Sequence, residues 1–151
     1  MKIYENGVHN ISFEEIRNIY GFEECVEQYK RYCTNPEIKP ESKFNFEWYE
    51  KSNLNCFVIV NDNRCVGFCS IICSYDPHLN CNFLAIESLY IQKRYRGKYW
   101  KEVFKKIKTI AKEKDCDGIF ITAGAGSRFE RYLSLQFEKV NSVFWISSKE
   151  K

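Results

Sequence analysis

Apolar residues recur at helical intervals near the start of the chain, and from Asn55 onward they gather into strand-like runs. Ser12 to Glu15 (SFEE) has the spacing of a capping box, and Phe13, Ile16 and Tyr20 follow at helical intervals. Gly21 interrupts this first helix. Phe22, Cys25, Val26, Tyr29 and Tyr32 then form the apolar stripe of a second, which stops before the two prolines of TNPEIKP. The stretch FNFEWYE, residues 44–50, is aromatic and amphipathic but too short to assign.

NCFVIV (55–60) and RCVGFCSIICSY (64–75) are β-rich and joined by NDN, which predicts a hairpin. The second run is apolar on both faces, as a central strand should be. Its Cys65, Cys69 and Cys73 fall four apart, so strand alternation puts all three on one face. After the turn DPHLN, a third strand, NFLAIESLYIQ, alternates: Phe83, Ala85, Glu87, Leu89 and Ile91 share a face on which Glu87 is the single charge. Trp100, Val103, Phe104, Ile107 and Ile110 then mark a helix ending near KEKDCDG. GIFITA reads as a short buried strand. GAGSRFE is a glycine turn with a second capping box, Ser127 and Glu130, opening a helix through Phe129, Tyr132 and Leu133. FEKVNSVFWIS closes the chain as one or two strands. The order predicts a mixed α+β sheet with a strand-helix-strand crossover in its second half.

Composition narrows the setting. A chain of 151 residues holds one good core, so residues 1–151 are expected to form a single domain. With 44% hydrophobic and 17% aromatic residues it is not a disordered chain, and no apolar run nears the ~20 residues needed to cross a bilayer. The opening MKIYENGVHN lacks an apolar export segment, so the expectation is a soluble cytoplasmic protein whose eight cysteines are reduced thiols. Without a CxxC pair, and with only His9 and His78 to help, the cysteines do not read as a metal site. A net charge of +3 is too small to imply a nucleic-acid partner by itself.

Charge matters locally. YIQKRYRGKYWKEVFKKIKTI (90–110) packs Lys93, Arg94, Arg96, Lys98 and Lys101 between a predicted strand and the start of a predicted helix. Cations in a helix's first turn oppose its macrodipole at roughly 0.3–1 kcal/mol each, so a negative partner is expected there. The turn also lies at the C-terminal end of a strand that starts a crossover, where open α/β sheets place ligands.

The element order, and LYIQKRYRGKYW (89–100) in particular, resembles the GNAT superfamily of acyl-CoA-dependent N-acetyltransferases over roughly Asn55 to the C-terminus. The resemblance implies a mostly antiparallel central sheet flanked by helices, with an acyl-CoA-binding strand-helix-strand core. It implies acetyl-CoA as donor and no metal, with the pyrophosphate held by a turn at a helix N-terminus and an amine of unstated identity as acceptor. Leu89, Tyr90, Ile91, Arg94, Arg96, Gly97, Lys98, Tyr99, Trp100 and Lys101 are the residues so implied for the cofactor. In the family signature two positions are small; aligned on Arg96-Gly97-Lys98 they are Tyr99 and Lys101 here. Long side chains at those points would obstruct a phosphate unless the turn shifts, and Lys101 could instead supply charge. Tyr132, five residues before Phe137, matches the family's tyrosine that protonates the departing thiolate, although Gln136 stands where a glycine is usual. The tail TAGAGSRFERYLSLQF…NSVFW is also similar to GNAT-like proteins of bacteriophages, which implies action in a host cytoplasm.

Glu87 is the candidate base: a carboxylate on an otherwise apolar strand face is costly unless paired, and desolvation favours its protonated form. Its alternative is a structural ion pair with a nearby arginine, and that of Tyr132 is a place on the buried stripe with Phe129 and Leu133. Two rival functions remain at this stage. One is a GNAT-shaped binding or inhibitory module without catalysis. The other is nucleic-acid contact, with Tyr95, Tyr99 and Trp100 interleaved among the cations.

Overall fold

A computed structural model describes residues 3–32, 47, 55–123, 127–140, 146 and 148. Five strands form one sheet in chain order: β1 (Gly7–Asn10), β2 (Asn55–Asn61), β3 (Arg64–Asp76), β4 (Cys81–Ile91) and β5 (Gly118–Phe120). The first four pair antiparallel, and β4 pairs parallel with β5. Helices α1 (Phe13–Ile16) and α2 (Phe22–Tyr32) follow β1; a 3-10 turn (Lys93–Tyr95) and α3 (Arg96–Glu113) join β4 to β5; α4 (Arg128–Gln136) comes last.

Local chemistry explains most of these boundaries. Ser12 caps α1 by accepting the Glu15 N–H at 3.3 Å. The helix is one turn long and does not reach Tyr20 as its spacing predicted. Beyond Ile16 the bonds tighten to three-residue spacing, Asn18 N–H to Glu15 and Ile19 N–H to Ile16, so Ile19 is buried and Tyr20 is exposed. Gly21 then turns the chain at φ +89°, where an added Cβ would lie 2.9 Å from the Cys65 carbonyl oxygen. The predicted β2–β3 hairpin turns through Asp62 and Asn63, both left-handed at φ 51° and 57°, the pairing that suits a two-residue loop.

Strand β1 was not legible in the sequence: among its four residues only Val8 is apolar, which gives no period. Strand β5 is shorter than GIFITA predicted, and residues 137–140 are not a strand. FNFEWYE, apart from Glu47, the glycine turn at 124–126 and most of residues 141–151 lie outside the described residues.

Two cores sandwich the sheet. Ile16, Ile19, Phe22, Cys25 and Val26 meet Val58, Val60, Cys65, Phe68 and Tyr90 on one face; Tyr99, Val103, Ile107 and Ile110 of α3 meet Phe57, Ile59, Val66, Cys69, Ile71, Leu84, Ile86 and Ile91 on the other. Each face changes parity along the strands because two bulges interrupt the ladders. Ile59 and Val60 of β2 face Gly67 and Cys65 of β3, leaving Val66 extra; Ser70 and Ile71 of β3 face Ser88 and Ile86 of β4, leaving Glu87 extra. The expected common face of the three cysteines is therefore wrong: Cys65 lies under α1 and α2, Cys69 under α3, and Cys73 is exposed. The expected face of β4 also breaks at Glu87. Leu84 and Ile86 before it, and Leu89 and Ile91 after it, all pack toward α3, so Phe83 and Ala85 lie opposite.

Candidate active site

The C-terminal half of β4 is where the sheet opens. Strand β5 pairs with β4 only from Phe83 to Ala85 and ends at Phe120, so from Ile86 to Ile91 that edge of β4 has no ladder partner among the described residues. Its backbone groups need other acceptors and donors. Glu87 stands at the beginning of this stretch. The bulge sends both Glu87 and Ser88 toward the α2 side, where Ser70 donates its hydroxyl hydrogen to Glu87 Oε2 and shares a hydrogen bond with the Ser88 hydroxyl. Ser70 and Ser88 are buried while Glu87 is exposed, not enclosed among apolar side chains as simple alternation implied.

Gly67 makes the close β3–β4 approach beside this edge. An added Cβ would lie 2.6 Å from the Tyr90 carbonyl oxygen and 3.1 Å from Ile91 Cα, closer than packed atoms allow. Tyr90 and Gln92 both donate to Gln28 Oε1 on α2, each at 3.1 Å, which ties the strand end to that helix.

The basic turn follows directly. Arg96 Nε donates to the Ile91 carbonyl at 2.7 Å and its guanidinium carbon is 5.8 Å from the Tyr90 ring centre, so the arginine is fixed against the strand end. Of the four N–H groups that open a helix, those of Tyr95 and Arg96 donate to Gln92 and Lys93 within the 3-10 turn. Those of Gly97 and Lys98 are left by the helix for other acceptors. The first turn of α3 contains no acidic residue. Lys93, Arg94, Lys98 and Lys101 are exposed around it, and no atom would obstruct a Cβ at Gly97 within 4 Å.

Tyr99 does not project over this turn. It is 3% exposed, and its hydroxyl donates to Asn61 Oδ1 at 2.7 Å, an atom that also accepts from Lys98 Nζ at 2.8 Å. Its ring belongs to the core, so the departure from a small residue is accommodated by turning inward. Trp100 is half-buried, edge-on to Phe104, Phe129 and Tyr132 at 4.9, 5.5 and 5.9 Å between ring centres. That aromatic group docks α4 on α3 and sets the position of Tyr132, itself half-buried. With Tyr99 inside and Trp100 in this group, the aromatic side chains interleaved with the cations do not form a stacking surface. Ser127 caps α4 as predicted, accepting the Glu130 N–H at 3.1 Å.

The structure thus brings Glu87, the open edge at Leu89–Ile91 and the basic helix start together along one strand end, with Tyr132 held beside α3. The polar partners Ser70, Ser88, Gln28 and Asn61 were missed from sequence; the only signal was a serine inside each of two apolar strands. Among the described residues no three His, Cys, Asp or Glu side chains gather as metal ligands would, and no helix is long and apolar enough to cross a membrane.

The fold as a whole is shared with solved acetyltransferase structures. The ribosomal-protein-alanine N-acetyltransferase from Brucella melitensis biovar Abortus 2308 superposes with a TM-score of 0.75 at 12% identity, over 98% of this chain and 100% of that one. An aminoglycoside acetyltransferase from an uncultured soil metagenomic sample gives 0.72 at 14%, over 97% and 100%. A second soil aminoglycoside acetyltransferase, in complex with sisomicin, gives 0.72 at 14%, over 94% and 95%. No curated protein matches in sequence. Residues 22–130 match the acetyltransferase (GNAT) family model, and the chain belongs to that family.

Proposed function

We propose that this protein is an N-acetyltransferase that moves an acetyl group from acetyl-CoA to a primary amine. The observation that carries the reading is the parting of β4 from β5 beyond Ala85 beside a helix start that carries cations and no acid. The residues fit the cofactor: a diphosphate needs backbone N–H donors and positive charge, and Gly97, Lys98, Arg94 and Lys101 supply both around a helix N-terminus. Arg96, pinned to Ile91, keeps the turn against the strand, and Tyr99 contributes through its backbone and its anchoring of the helix. Tyr90 holds the turn through the Arg96 guanidinium over its ring, and Trp100 docks α4 on α3 beside it.

Bound acetyl-CoA supplies a thioester, an acyl group activated toward amines. The chain's own residues supply the rest. Glu87 accepts a proton from the incoming ammonium, oriented by the Ser70 hydroxyl, because only the free amine is nucleophilic. The backbone N–H groups of Leu89 and Ile91, on the edge of β4 that β5 does not reach, would polarise the acyl carbonyl. Tyr132, held beside α3 by Trp100, would be the proton donor to the departing thiolate. The reading stops at a primary amine as acceptor, in keeping with neighbours named for ribosomal-protein alanine and for aminoglycosides. The protein would act in the cytoplasm, where acetyl-CoA is supplied.

Native mass spectrometry of the purified protein, with a thermal-shift titration of acetyl-CoA, tests it. Co-purifying coenzyme A or a rise in Tm is expected, since a ligand bound only by the folded state stabilises it by mass action. Arg96→Ala should lose most of the shift. No shift at millimolar acetyl-CoA would overturn the cofactor and leave a binding module of GNAT fold.

A further inference from the structure

Far from the basic turn, two thiols meet. Cys73 Sγ on β3 and Cys116 Sγ in the turn between α3 and β5 are 3.9 Å apart, although 43 residues separate them in sequence. Cys73 is exposed and Cys116 half-buried. Of the other described thiols, Cys25, Cys65 and Cys69 are buried, and Cys25 and Cys65 are hydrogen-bonded to the backbone carbonyls of Cys65 and Gly67.

Both members of the pair are held in place. The ladder pairs Cys73 with Leu84. The turn is pinned by Cys116 N–H to the Ala111 carbonyl at 2.9 Å, and Asp117 clasps Asn82, donating its N–H to the Asn82 carbonyl at 2.7 Å and accepting the Asn82 N–H on Oδ2 at 3.0 Å. The two sulfurs therefore meet through the fold itself and not through a mobile tail. Burial first, and then Cys73, push the Cys116 thiol above its ordinary value.

We propose that Cys73 and Cys116 are a modification site at which a small disulfide, such as oxidised glutathione, forms a reversible intramolecular disulfide. The more exposed Cys73 attacks first: its sulfur bonds to one glutathione sulfur, the S–S bond breaks, and the other sulfur leaves as a thiol with the proton given up by the Cys73 S–H. The Cys116 sulfur then displaces the second glutathione, which takes up the Cys116 proton. The protein loses two hydrogens and oxidised glutathione gains them. The product spans the N-terminal part of β4, tying β3 on one side of it to the lead-in of β5 on the other. Closing so long a loop restricts the unfolded chain, so the oxidised form should melt higher, by roughly 5 °C.

The test treats the native full-length protein with oxidised glutathione, followed by intact mass and non-reducing peptide mapping. A loss of two hydrogens is expected, with one linked peptide pair containing Cys73 and Cys116, a higher Tm and slower amide exchange over residues 114–120, all reversed by dithiothreitol. Cys73→Ser and Cys116→Ser alter surface-accessible positions and should fold, each abolishing the linkage; Cys116→Ser should halt at the mixed disulfide. Glutathione adducts that persist on wild-type Cys73, or a two-hydrogen loss that survives in Cys73→Ser, would overturn the proposal.

Discussion

Replacing Tyr99 separates the two places its side chain could occupy, core or phosphate site. The ring is 3% exposed between the sheet and α3, and its hydroxyl donates to Asn61 Oδ1 at 2.7 Å. In Tyr99→Phe the ring stays and one hydrogen bond goes; Asn61 Oδ1 keeps its bond from Lys98 Nζ, so no buried acceptor is orphaned and the loss is about 1 kcal/mol. Tyr99→Ala also empties the ring's volume, and buried aromatic-to-alanine changes cost about 3–5 kcal/mol. For a chain of this size about 1 kcal/mol moves Tm by roughly 3 °C, so the two variants should melt about 3 °C and 10 °C or more below wild type. Urea unfolding followed by circular dichroism, with acetyl-CoA titrated calorimetrically into each folded variant, reads both quantities. The phenylalanine variant should bind acetyl-CoA within a few fold of wild type. A Tyr99→Ala protein as stable as wild type that binds acetyl-CoA more tightly would refute the reasoning, because it would put the ring over the phosphates.

Other perturbations probe the strand end. Gly67→Ala must push β3 from β4 at Tyr90 and Ile91, so it should destabilise by about 1–3 kcal/mol and weaken acetyl-CoA binding together; normal stability in urea would show that the approach is looser than 2.6 Å implies. Glu87→Gln should cost about 10²-fold or more in turnover, and unchanged turnover would leave Ser70 and Glu87 a structural pair. Tyr132→Phe should lower kcat while leaving donor affinity within a few fold, whereas equal loss of both would make Tyr132 a packing residue of the Trp100 cluster. The Cys56 thiol is pushed up from 9.0 to about 12, by burial first and the Glu87 carboxylate second. The folded chain therefore keeps a proton that the unfolded chain sheds, and stability whole below pH 9 drains away as pH rises from 9 toward 12. Cys56→Ala should flatten that decline in alkaline urea titrations; identical slopes would rule the thiol out as its source.

Periodicity reveals structure only where one residue in the chain answers to one residue in the fold. It served α2 and α3, where Phe22, Cys25 and Val26, or Val103, Ile107 and Ile110, keep one phase from end to end. It failed where a residue was inserted into a ladder: Val66 and Glu87 reset the alternation without any sign in composition. Capping boxes were readable because Ser12 and Ser127 act within three residues of themselves. The partners of the site were not, because Gln28 meets Tyr90 across 62 positions and Asn61 meets Tyr99 across 38. The basic turn was legible as charge, yet the inward course of Tyr99 depended on β2 having a side-chain acceptor at Asn61.

The bulge at Glu87 also bears on how such a strand can change over generations. Every other residue in the middle of β4 is bound to a side of the sheet, so exchanging polar for apolar there damages a core. Position 87 is surplus to that alternation, and substitution there leaves Leu84, Ile86, Leu89 and Ile91 where they are. Deleting it does not: one half of the strand would have to trade its inward residues for its outward ones. A substitution at position 87 therefore changes the chemistry there without refolding the strand, while the strand's length must stay constant. Chemistry at this point is heritable separately from folding, as one variable letter within a fixed frame.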